Sequence, residues 1–452
     1  MLINDTIAAI ATSSGSGAIA IIRLSGGDAI NIVDSIFYGK NKLIEQNAYT
    51  IHFGNIKDEN EIIDEVLVSI FKAPKSYTGE NSVEISCHGS MYIQQKVLNL
   101  LINKGARTAN PGEFTQRAFL NGKLDLSQAE AVADLISAES KAEHKVAMQQ
   151  MRGGFTSDLQ KLRSELLNFI SLIELELDFS EEDVEFADRT QLKNLISNIK
   201  QKTEELIHSF EYGNVIKKGI PVAIVGEPNV GKSTLLNTLL NEEKAIVSNI
   251  AGTTRDAVED LISINGILFR FIDTAGIRET NDTIESLGIE RTMQKIENAE
   301  IVLYMIDAND INACNKISEI SEKIKGKKLI IIINKIDTSS NTKNNCTGFK
   351  TIEISAKLKQ NISTLTDTLI NTTQFSEIDK SGTIITNTRH LELLKKSHDA
   401  TLRVDNGLSS GLSSDFIAQD IREILNHIGE ITGEYTNNEV LGNIFKNFCI
   451  GK

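Results

Sequence analysis

Residues 226–233 carry a pattern that binds phosphate. They read Gly-Glu-Pro-Asn-Val-Gly-Lys-Ser, which fits G-x-x-x-x-G-K-[ST]. The glycines let backbone amides turn toward phosphate oxygens, Lys232 supplies charge to the β and γ phosphates, and the Ser233 hydroxyl can ligate Mg²⁺. An apolar run at 221–225 precedes the loop, and a helix-like stretch at 234–240 follows it. This context predicts a nucleoside triphosphate site.

Three further motifs predict the choice of base and hydrolysis. In Asp273-Thr-Ala-Gly276, the aspartate can hold the magnesium shell and the Gly276 amide can meet the γ-phosphate. An Asn-Lys-Ile-Asp sequence ends at Asp337, whose carboxylate can accept hydrogen bonds from the guanine N1–H and exocyclic amine, which adenine lacks. A Ser-Ala-Lys sequence at 355–357 follows another strand-like run and completes the base-binding edge. The order of these motifs predicts a GTPase.

The residue that orients the attacking water is less evident. Ras-type enzymes have a glutamine directly after D-T-A-G, whereas this chain has Ile277, which cannot hydrogen-bond water. Another residue must take that role, and the candidates lie at 278–290. Glu285 is one of several acids there, and a solvated charge on a helix explains it equally well.

Asn229 inside the phosphate loop and the segment 246–256 predict a further cation. An amide oxygen beside the β and γ phosphates, with carbonyls from a wrapping loop, could hold a monovalent cation where other GTPases place an arginine finger. Thr254 in that segment is the candidate switch threonine, which joins Mg²⁺ when GTP is bound.

The elements that must position these residues form three kinds of segment. Residues 1–118 mix short β-like runs with a helical stretch at 91–103, and residues 126–212 show amphipathic helical spacing. Residues 217–372 alternate apolar β-like runs with helices, which predicts a parallel sheet wrapped by helices. Helical periodicity resumes near Arg389. We expect an α/β domain inserted in one helical domain, although two separate bundles would give the same pattern.

Composition limits the class of protein. The 452 residues predict roughly three domains, and the formal net charge of −14 disfavours autonomous binding to a phosphate backbone. The four cysteines are far apart and match neither a disulfide framework nor a zinc site, which favours a reducing compartment. Apolar runs are too short for a membrane helix, and the N-terminus lacks a targeting pattern. We therefore expect a cytoplasmic location.

Motifs outside the α/β segment identify the chain more closely. Together with the nucleotide motifs, they resemble the tRNA-modification GTPases of the MnmE (TrmE) family over essentially the whole chain. The matching signatures are Asp5-Thr-Ile7, Arg23-Leu-Ser-Gly26, Ser76-Tyr-Thr-Gly-Glu80, His88-Gly89, Pro111-Gly-Glu-Phe114, the run from Arg117 to Leu126, Gly252-Thr-Thr-Arg-Asp256 and Cys449-Ile-Gly-Lys452.

The resemblance implies a multidomain α/β protein with four segments. Residues 1–118 would form an α+β dimerisation domain similar to tetrahydrofolate-binding domains, and 216–376 an inserted Ras-like P-loop GTPase domain. Residues 119–215 and 377–452 would form the two parts of a discontinuous all-α helical domain, the second carrying the Cys-Ile-Gly-Lys motif.

The resemblance also implies an activity. Family members are potassium-dependent GTPases that form homodimers and act with the flavoprotein MnmG in a heterotetramer-type complex. They add a carboxymethylaminomethyl or aminomethyl group to C5 of the wobble uridine of certain tRNAs. A tetrahydrofolate derivative, 5,10-methylene or 5-formyl, supplies the one-carbon unit. The alternative is a regulatory GTPase switch that binds RNA or ribosomes without modification chemistry.

Site residues follow from the same resemblance. The catalytic group comprises Glu285, which matches the water-orienting glutamate of the family, with Lys232, Thr254 and Gly276. The folate site would use Arg23, Glu80, Lys123 and Lys452. The metal ligands would be Ser233 and Thr254 for Mg²⁺, and Asn229, Ser248, Ile250 and Thr253 for K⁺. GTP and its cations would contact Asn229, Val230, Gly231, Lys232, Ser233, Thr234, Ser248, Asn249, Ile250, Ala251, Gly252, Thr253, Thr254, Asp273, Thr274, Ala275, Gly276, Asn334, Lys335, Asp337, Ser355, Ala356 and Lys357.

Cys449 has two interpretations. Flanked by Phe448 and Ile450, it is either a buried structural thiol or a residue that acts near the folate chemistry. Gly451 and Lys452 are poor choices for a prenylation signal, so lipidation is not expected. The other three cysteines are expected to be inert.

Overall fold

The computed structural model describes residues 5–178, 188–242, 259–272, 293, 296–310, 312–324, 326–338, 350–373, 383–436, 438–446 and 448–451. The chain divides into two compact units, and both are built from separated segments. The first contains Met1–Ile136, Met148–Ile199 and Lys396–Lys452, and the second contains Ser137–Ala147 and Lys200–Lys395. Residues that precede and follow the α/β segment therefore share the first unit. The four-segment domain division remains a prediction.

The first unit contains a seven-stranded sheet with the order β3-β4-β5-β6-β2-β1-β7. Neighbouring strands are antiparallel, except that β7 runs parallel to β1. The strands are β1 Ile7–Ile10, β2 Ile19–Ser25, β3 Phe37–Gly39, β4 Thr50–Asp58, β5 Glu61–Phe71, β6 Ser82–His88 and β7 Arg107–Thr108. Helices α1 Ala29–Asp34 and α2 Met91–Asn103 contribute to the core on one face.

Alternation along β2 assigns its residues to two faces. Ile22 and Leu24 are buried in the core with α1 and α2, so Arg23 and Ser25 belong to the opposite face, because successive side chains in a strand alternate. Helix α3, Glu113–Leu120, packs on this opposite face near β1, where its Phe114 contacts Ile7. The predicted folate residue Arg23 is thus on the α3 side of the sheet.

Helices make up the rest of the first unit. Arg163 in α6 donates a hydrogen bond from Nε to the carbonyl of Leu425 in α12 over 3.4 Å and lies over the ring of Tyr435. This links residues from before and after the α/β segment. The other helices of the first unit are α3, α6 Gly154–Asp178, α12 Ser414–Thr432 and α13 Asn438–Phe445. Four helices have residues in both units: α4 Leu126–Ser137, α5 Lys141–Met151, α7 Arg189–Lys218 and α11 Thr388–Ser410.

The second unit contains a six-stranded sheet with the order β13-β12-β11-β8-β10-β9. All neighbours are parallel except β9 and β10, which form the hairpin that Asn265-Gly266 predicts. The strands are β8 Ile220–Gly226, β9 Asp260–Ile264, β10 Ile267–Phe271, β11 Ile301–Asp307, β12 Lys328–Asn334 and β13 Thr351–Glu353.

Helices α8 Lys232–Glu242, α9 Ala313–Lys323 and α10 Ile362–Thr372 complete this α/β arrangement. In β11, Leu303 and Met305 join the core that contains α8 and α10, whereas Val302 and Ile306 join the core with α9. Burial on both faces explains the continuous apolar runs of β11 and β12. No helix in the described residues is long and apolar enough to cross a membrane.

Candidate functional site

The phosphate loop connects β8 to α8. The predicted strand and helix are both present, although β8 ends at Gly226, one residue later than predicted, and α8 begins at Lys232, two residues earlier. A Cβ atom on Gly226 would lie 2.4 Å from the carbonyl oxygen of Met305, and one on Gly231 would lie 2.3 Å from Nδ2 of Asn334. Both positions also have positive φ angles, so the loop requires glycine at each.

Two polar residues shape the loop interior. Asn229 adopts a left-handed conformation with φ of 64°, which asparagine tolerates better than most residues. The Lys232 ammonium donates hydrogen bonds to the carbonyl oxygens of Gly226 at 2.8 Å and Glu227 at 2.7 Å. The lysine charge is therefore fixed over the loop that would receive the phosphates, and Ser233 follows on the first turn of α8.

Asn334 joins the base-binding segments to the phosphate loop. Its side chain is buried and donates from Nδ2 to the Val230 carbonyl over 2.8 Å. Its Oδ1 atom accepts a hydrogen bond from the Ala356 amide at 3.0 Å, and the hydroxyl of Thr238 in α8 donates to the Ala356 carbonyl at 3.0 Å. Three segments distant in sequence are thereby held together.

Asp337 and Lys335 are positioned by their own partners. The Ser355 hydroxyl donates to Oδ1 of Asp337 over 2.6 Å, which leaves the other carboxylate oxygen available to a base. Lys335 has a φ of 66° and donates from Nζ to Asp307 over 2.7 Å. Lys357 in the same edge is exposed. The arrangement presents a carboxylate acceptor, which suits guanine N–H donors.

Charged residues beside the phosphate loop and after β11 form a set that the sequence did not predict. Lys316 in α9 lies 2.7 Å from both Glu227 of the phosphate loop and Asp310 after β11. The Lys316 hydrogen bond lowers the pKa of Asp310. Partial burial opposes the same effect at Asp307, but the hydrogen bonds from Lys335 and Asn309, with the Lys335 charge, together outweigh it and lower that pKa too. The only sequence feature that could have identified Asp307 and Asp310 was their position at the carboxyl end of β11, where ligands bind in parallel sheets.

Several predicted site residues lie outside the described residues, and their roles remain predictions. They are Ser248, Asn249, Ile250, Ala251, Gly252, Thr253, Thr254, Asp273, Thr274, Ala275, Gly276, Glu285 and Lys452. Of the predicted cation ligands, the structure describes Asn229 and Ser233, both in the phosphate loop segment.

Three of the four predicted folate residues belong to the first unit on the α3 side of its sheet. The Arg23 guanidinium donates from Nε to Glu84 over 2.9 Å and lies 5.7 Å from the Tyr77 ring centroid. Glu80 accepts a hydrogen bond from the Ser25 hydroxyl at 2.7 Å. The stem of Lys123 packs against the residue before Glu80, since a Cβ on Gly79 would lie 3.3 Å from Cε of Lys123.

Residues 448–451 lie against the same region. The Gly112 amide donates to the Cys449 carbonyl over 3.3 Å, and a Cβ on Gly451 would lie 2.5 Å from the carbonyl oxygen of Ile10, at the end of β1. Strand β1 pairs with β2, which carries Arg23. The residue that precedes Lys452 is therefore next to the sheet, although Lys452 itself is not described.

The interpretation of Cys449 as a buried structural thiol was wrong. Cys449 is exposed, because the preceding Phe448, rather than the cysteine, packs against Phe445 in the core of the first unit. Cys87 has the inert character expected of it. It is buried, and burial together with the nearby Asp64 charge raises its pKa to about 11.

Comparisons with known proteins give consistent matches. The family model described as "MnmE helical domain" matches residues 126–449, and "GTP-binding protein TrmE N-terminus" matches residues 6–123. The chain is 58% identical to the tRNA modification GTPase MnmE of Bacteroides thetaiotaomicron over 99% of both chains. It is 55% identical to the protein of that name from Christiangramia forsetii and 56% identical to that from Flavobacterium johnsoniae, over 100% of both chains in each case.

Proposed function

The chain belongs to the MnmE family of tRNA modification GTPases, and from that premise we propose that it modifies C5 of the wobble uridine of certain tRNAs. It is a GTP hydrolase that acts in tRNA modification. The proposed product carries an aminomethyl or carboxymethylaminomethyl group. The observation that carries the nucleotide part is Asn334, which holds the phosphate loop and the base-binding edge together.

GTP binding follows from the chemistry of these side chains. Lys232 would neutralise the β and γ phosphates, and Asp337 would accept the two guanine N–H groups. The Ser233 hydroxyl and Thr254 fit a hard cation that prefers oxygen ligands, so they would hold Mg²⁺. When bound, that ion would neutralise charge that develops on the phosphates. Asp273 would support the magnesium shell, and the Gly276 amide would contact the γ-phosphate.

The potassium site and the water-orienting residue are part of the same proposal. Asn229 has a left-handed backbone conformation, and its side-chain amide oxygen is a suitable ligand for K⁺. Ser248, Ile250 and Thr253 would add backbone carbonyls. Glu285 would orient the attacking water. Glu285→Ala should lower turnover and leave GTP affinity intact, and a loss of affinity instead would contradict this role.

We place the folate derivative on the α3 side of the first sheet. Glu80 offers a carboxylate acceptor for ring N–H groups, and Lys123 and Lys452 offer cations for a glutamate tail. Arg23 stands beside the Tyr77 ring, on which a flat ligand can stack. When bound, the 5-formyl or 5,10-methylene derivative would supply the one-carbon unit.

The flavoprotein MnmG and tRNA are the proposed partners. A net charge of −14 gives the chain alone little attraction for a phosphate backbone, which supports tRNA binding together with a second protein. Copurification with the flavoprotein would test this, and a chain that binds tRNA equally well alone would contradict it. Since tRNA is the substrate, we propose the cytoplasm as the location.

An exposed apolar row supports the proposed homodimer. Ile51 and Phe53 of β4 share a sheet face, and Leu67 of β5 pairs with Phe53; the three side chains are 66%, 64% and 47% exposed. Apolar groups that are contiguous on a sheet face commonly mark a protein interface. Sedimentation equilibrium tests the proposal: Phe53→Ser should weaken self-association, and a monomeric wild-type chain would refute it.

The alternative is a regulatory switch that docks on RNA or ribosomes. Proteins of that class commonly add an RNA-binding module or a second G domain, whereas this sequence has one phosphate loop. Nucleoside analysis of tRNA from cells that lack this protein separates the two. If the proposal is right, the wobble uridines in these cells lack the C5 group. Wobble uridines that still carry the group would leave only the regulatory switch.

A further inference from the structure

Arg117 is a buried cation at the centre of a charge cluster in the first unit. It lies in α3, with only 2% of its side chain exposed. Its Nη2 atom donates to Asp5 over 2.6 Å and to Glu113 over 3.0 Å, and Nη1 donates to the Asp5 carbonyl over 2.8 Å. Nη1 also lies 3.3 and 3.2 Å from the two carboxylate oxygens of Glu80.

The cluster contains more negative than positive groups. Asp5, Glu80 and Glu113 are carboxylates, whereas only Arg107 and Arg117 are cations. Arg23 does not offset the difference, because Glu84 already pairs with it. One carboxylate in the group therefore lacks a full cationic partner.

Glu80 is that carboxylate. Glu113 accepts hydrogen bonds from Arg107, Arg117 and the Asn110 amide, and Asp5 accepts short bonds from both arginines. Glu80 instead has the longest contacts with Arg117 and one short bond from Ser25. Its side chain is also 20% exposed, so it can meet a ligand that the buried Glu113 cannot reach.

Arg117 can hold Glu80 in place because Arg117 itself cannot move. The Asp5 carbonyl and the Glu113 carboxylate fix the guanidinium plane from one side. Ser25 is fixed in turn by Thr78, whose hydroxyl lies 2.6 Å from that of Ser25. A carboxylate held from two directions loses less freedom when it binds a ligand, and such preorganisation raises affinity.

We infer that Arg117, together with Ser25, is a positioning residue for Glu80. The pair keeps the Glu80 carboxylate oriented as a hydrogen-bond acceptor for the N–H groups of a folate ring. This inference rests on the folate site proposed above, and it adds two residues that the predicted folate site did not include. Arg117 acts through Glu80 and need not touch the ligand.

The test measures binding of 5-formyltetrahydrofolate to the full chain by calorimetry. Arg117→Lys keeps a charge but loses the planar fork that reaches three acceptors, so affinity should fall about 10-fold. Ser25→Ala, which changes no charge, should lower affinity about 3- to 10-fold. The matched control is Ser82→Ala, because Ser82 is also buried and pairs with Ser25 in the neighbouring strand, but its hydroxyl donates to the Leu24 carbonyl rather than to Glu80.

A second set of variants separates positioning from general stability. In a Glu80→Gln background, Arg117→Lys and Ser25→Ala should cost little further affinity, because the residue through which they act is already altered. Thermal unfolding confirms that each variant is folded. Ser25→Ala keeps the test valid even where Arg117→Lys fails to fold.

Each outcome has one meaning. Losses that persist unchanged in the Glu80→Gln background would show a structural role and overturn the inference. Wild-type binding with no loss in Arg117→Lys and Ser25→Ala would also overturn it while leaving the folate site intact. A wild-type chain that does not bind 5-formyltetrahydrofolate would remove the folate proposal and this inference with it.

Discussion

The side-chain amide of Asn334 donates a hydrogen bond to the carbonyl oxygen of Val230 over 2.8 Å, and so ties the base-binding loop to the phosphate loop. Because the same side chain accepts from Ala356, one residue sets the separation between the two ends of the nucleotide site. The proposed phosphate-binding and base-binding segments therefore form a single connected framework.

Asn334→Ala should weaken binding of a fluorescent GDP analogue by roughly 10- to 100-fold, because it leaves the Val230 carbonyl and the Ala356 amide without their buried partner. Equilibrium titration measures the effect. Ser321→Ala is the control, since its exposed hydroxyl in α9 bonds only within its own helix. A folded Asn334→Ala variant with unchanged affinity would contradict the connecting role.

Asp337→Asn should change the base preference of the nucleotide site from guanine to xanthine. The amide loses one acceptor for the guanine N–H groups and gains a donor that suits the 2-oxo group of xanthine. The bond from Ser355 can persist at Oδ1. Competition binding should show GTP affinity reduced at least about 100-fold and XTP affinity increased. Asp367→Asn, at an exposed position in α10, should change neither, and retained GTP preference in Asp337→Asn would refute the assignment.

Replacing K⁺ by Na⁺ at constant ionic strength should lower GTP turnover about 10-fold or more, because the larger ion fits a site of an amide oxygen and loop carbonyls. Asn229→Gly should remove most of the difference. Glycine tolerates the φ of 64° at this position, so the variant deletes the amide without backbone strain. Steady-state phosphate release is the measurement, and equal turnover in both salts would exclude the cation role of Asn229.

Acid should weaken the first unit through Glu113. Burial opposes the shift, but hydrogen bonds from Arg107, the Asn110 amide and Arg117 lower the pKa of Glu113 below its ordinary value of 4.5. A lowered pKa in the folded state stabilises the fold above about pH 4.5 and loses that contribution as the pH falls further. Asp5 changes in the same direction, because Arg107 and Arg117 outweigh its partial burial.

Glu113→Gln should therefore lower stability at neutral pH by roughly 3 kcal/mol, because two arginines lose a buried anion. The difference from wild type should shrink below about pH 4.5. Thermal unfolding from pH 7 to pH 3 measures this, with the exposed Glu45→Gln as control. A difference that stays constant over this pH range would show that the charge of Glu113 is not responsible.

The sequence pattern predicted the structure correctly where the residues that determine it are consecutive. The strand, loop and helix around Gly226 and Lys232 follow from glycine spacing and apolar runs, and the α2 helix has the predicted bounds. The hairpin at Asn265-Gly266 is also confirmed. In each case the residues that determine the structure are neighbours in sequence.

Sequence pattern could not reveal partners brought together by the fold. The short strand β1 and helix α3 were missed, and with them the contact of Arg117 with Asp5, Glu80 and Glu113. Arginine is mostly exposed in proteins, whereas Arg117 is buried beside three carboxylates that compensate its charge. The ion pair between Lys316 and Glu227 was not predicted either, because the two residues are far apart in sequence.

The packing of Gly451 against Ile10 can form only late in synthesis, because the two residues lie near opposite ends of the sequence. All seven strands of the first sheet lie between residues 7 and 108, so the ribosome makes them early. Residues 448–451 emerge only after the second unit has been translated. We expect a nascent chain that has not yet reached residues 448–451 to leave the sheet uncovered beside Ile10, so this part of the protein assembles only after those residues have emerged.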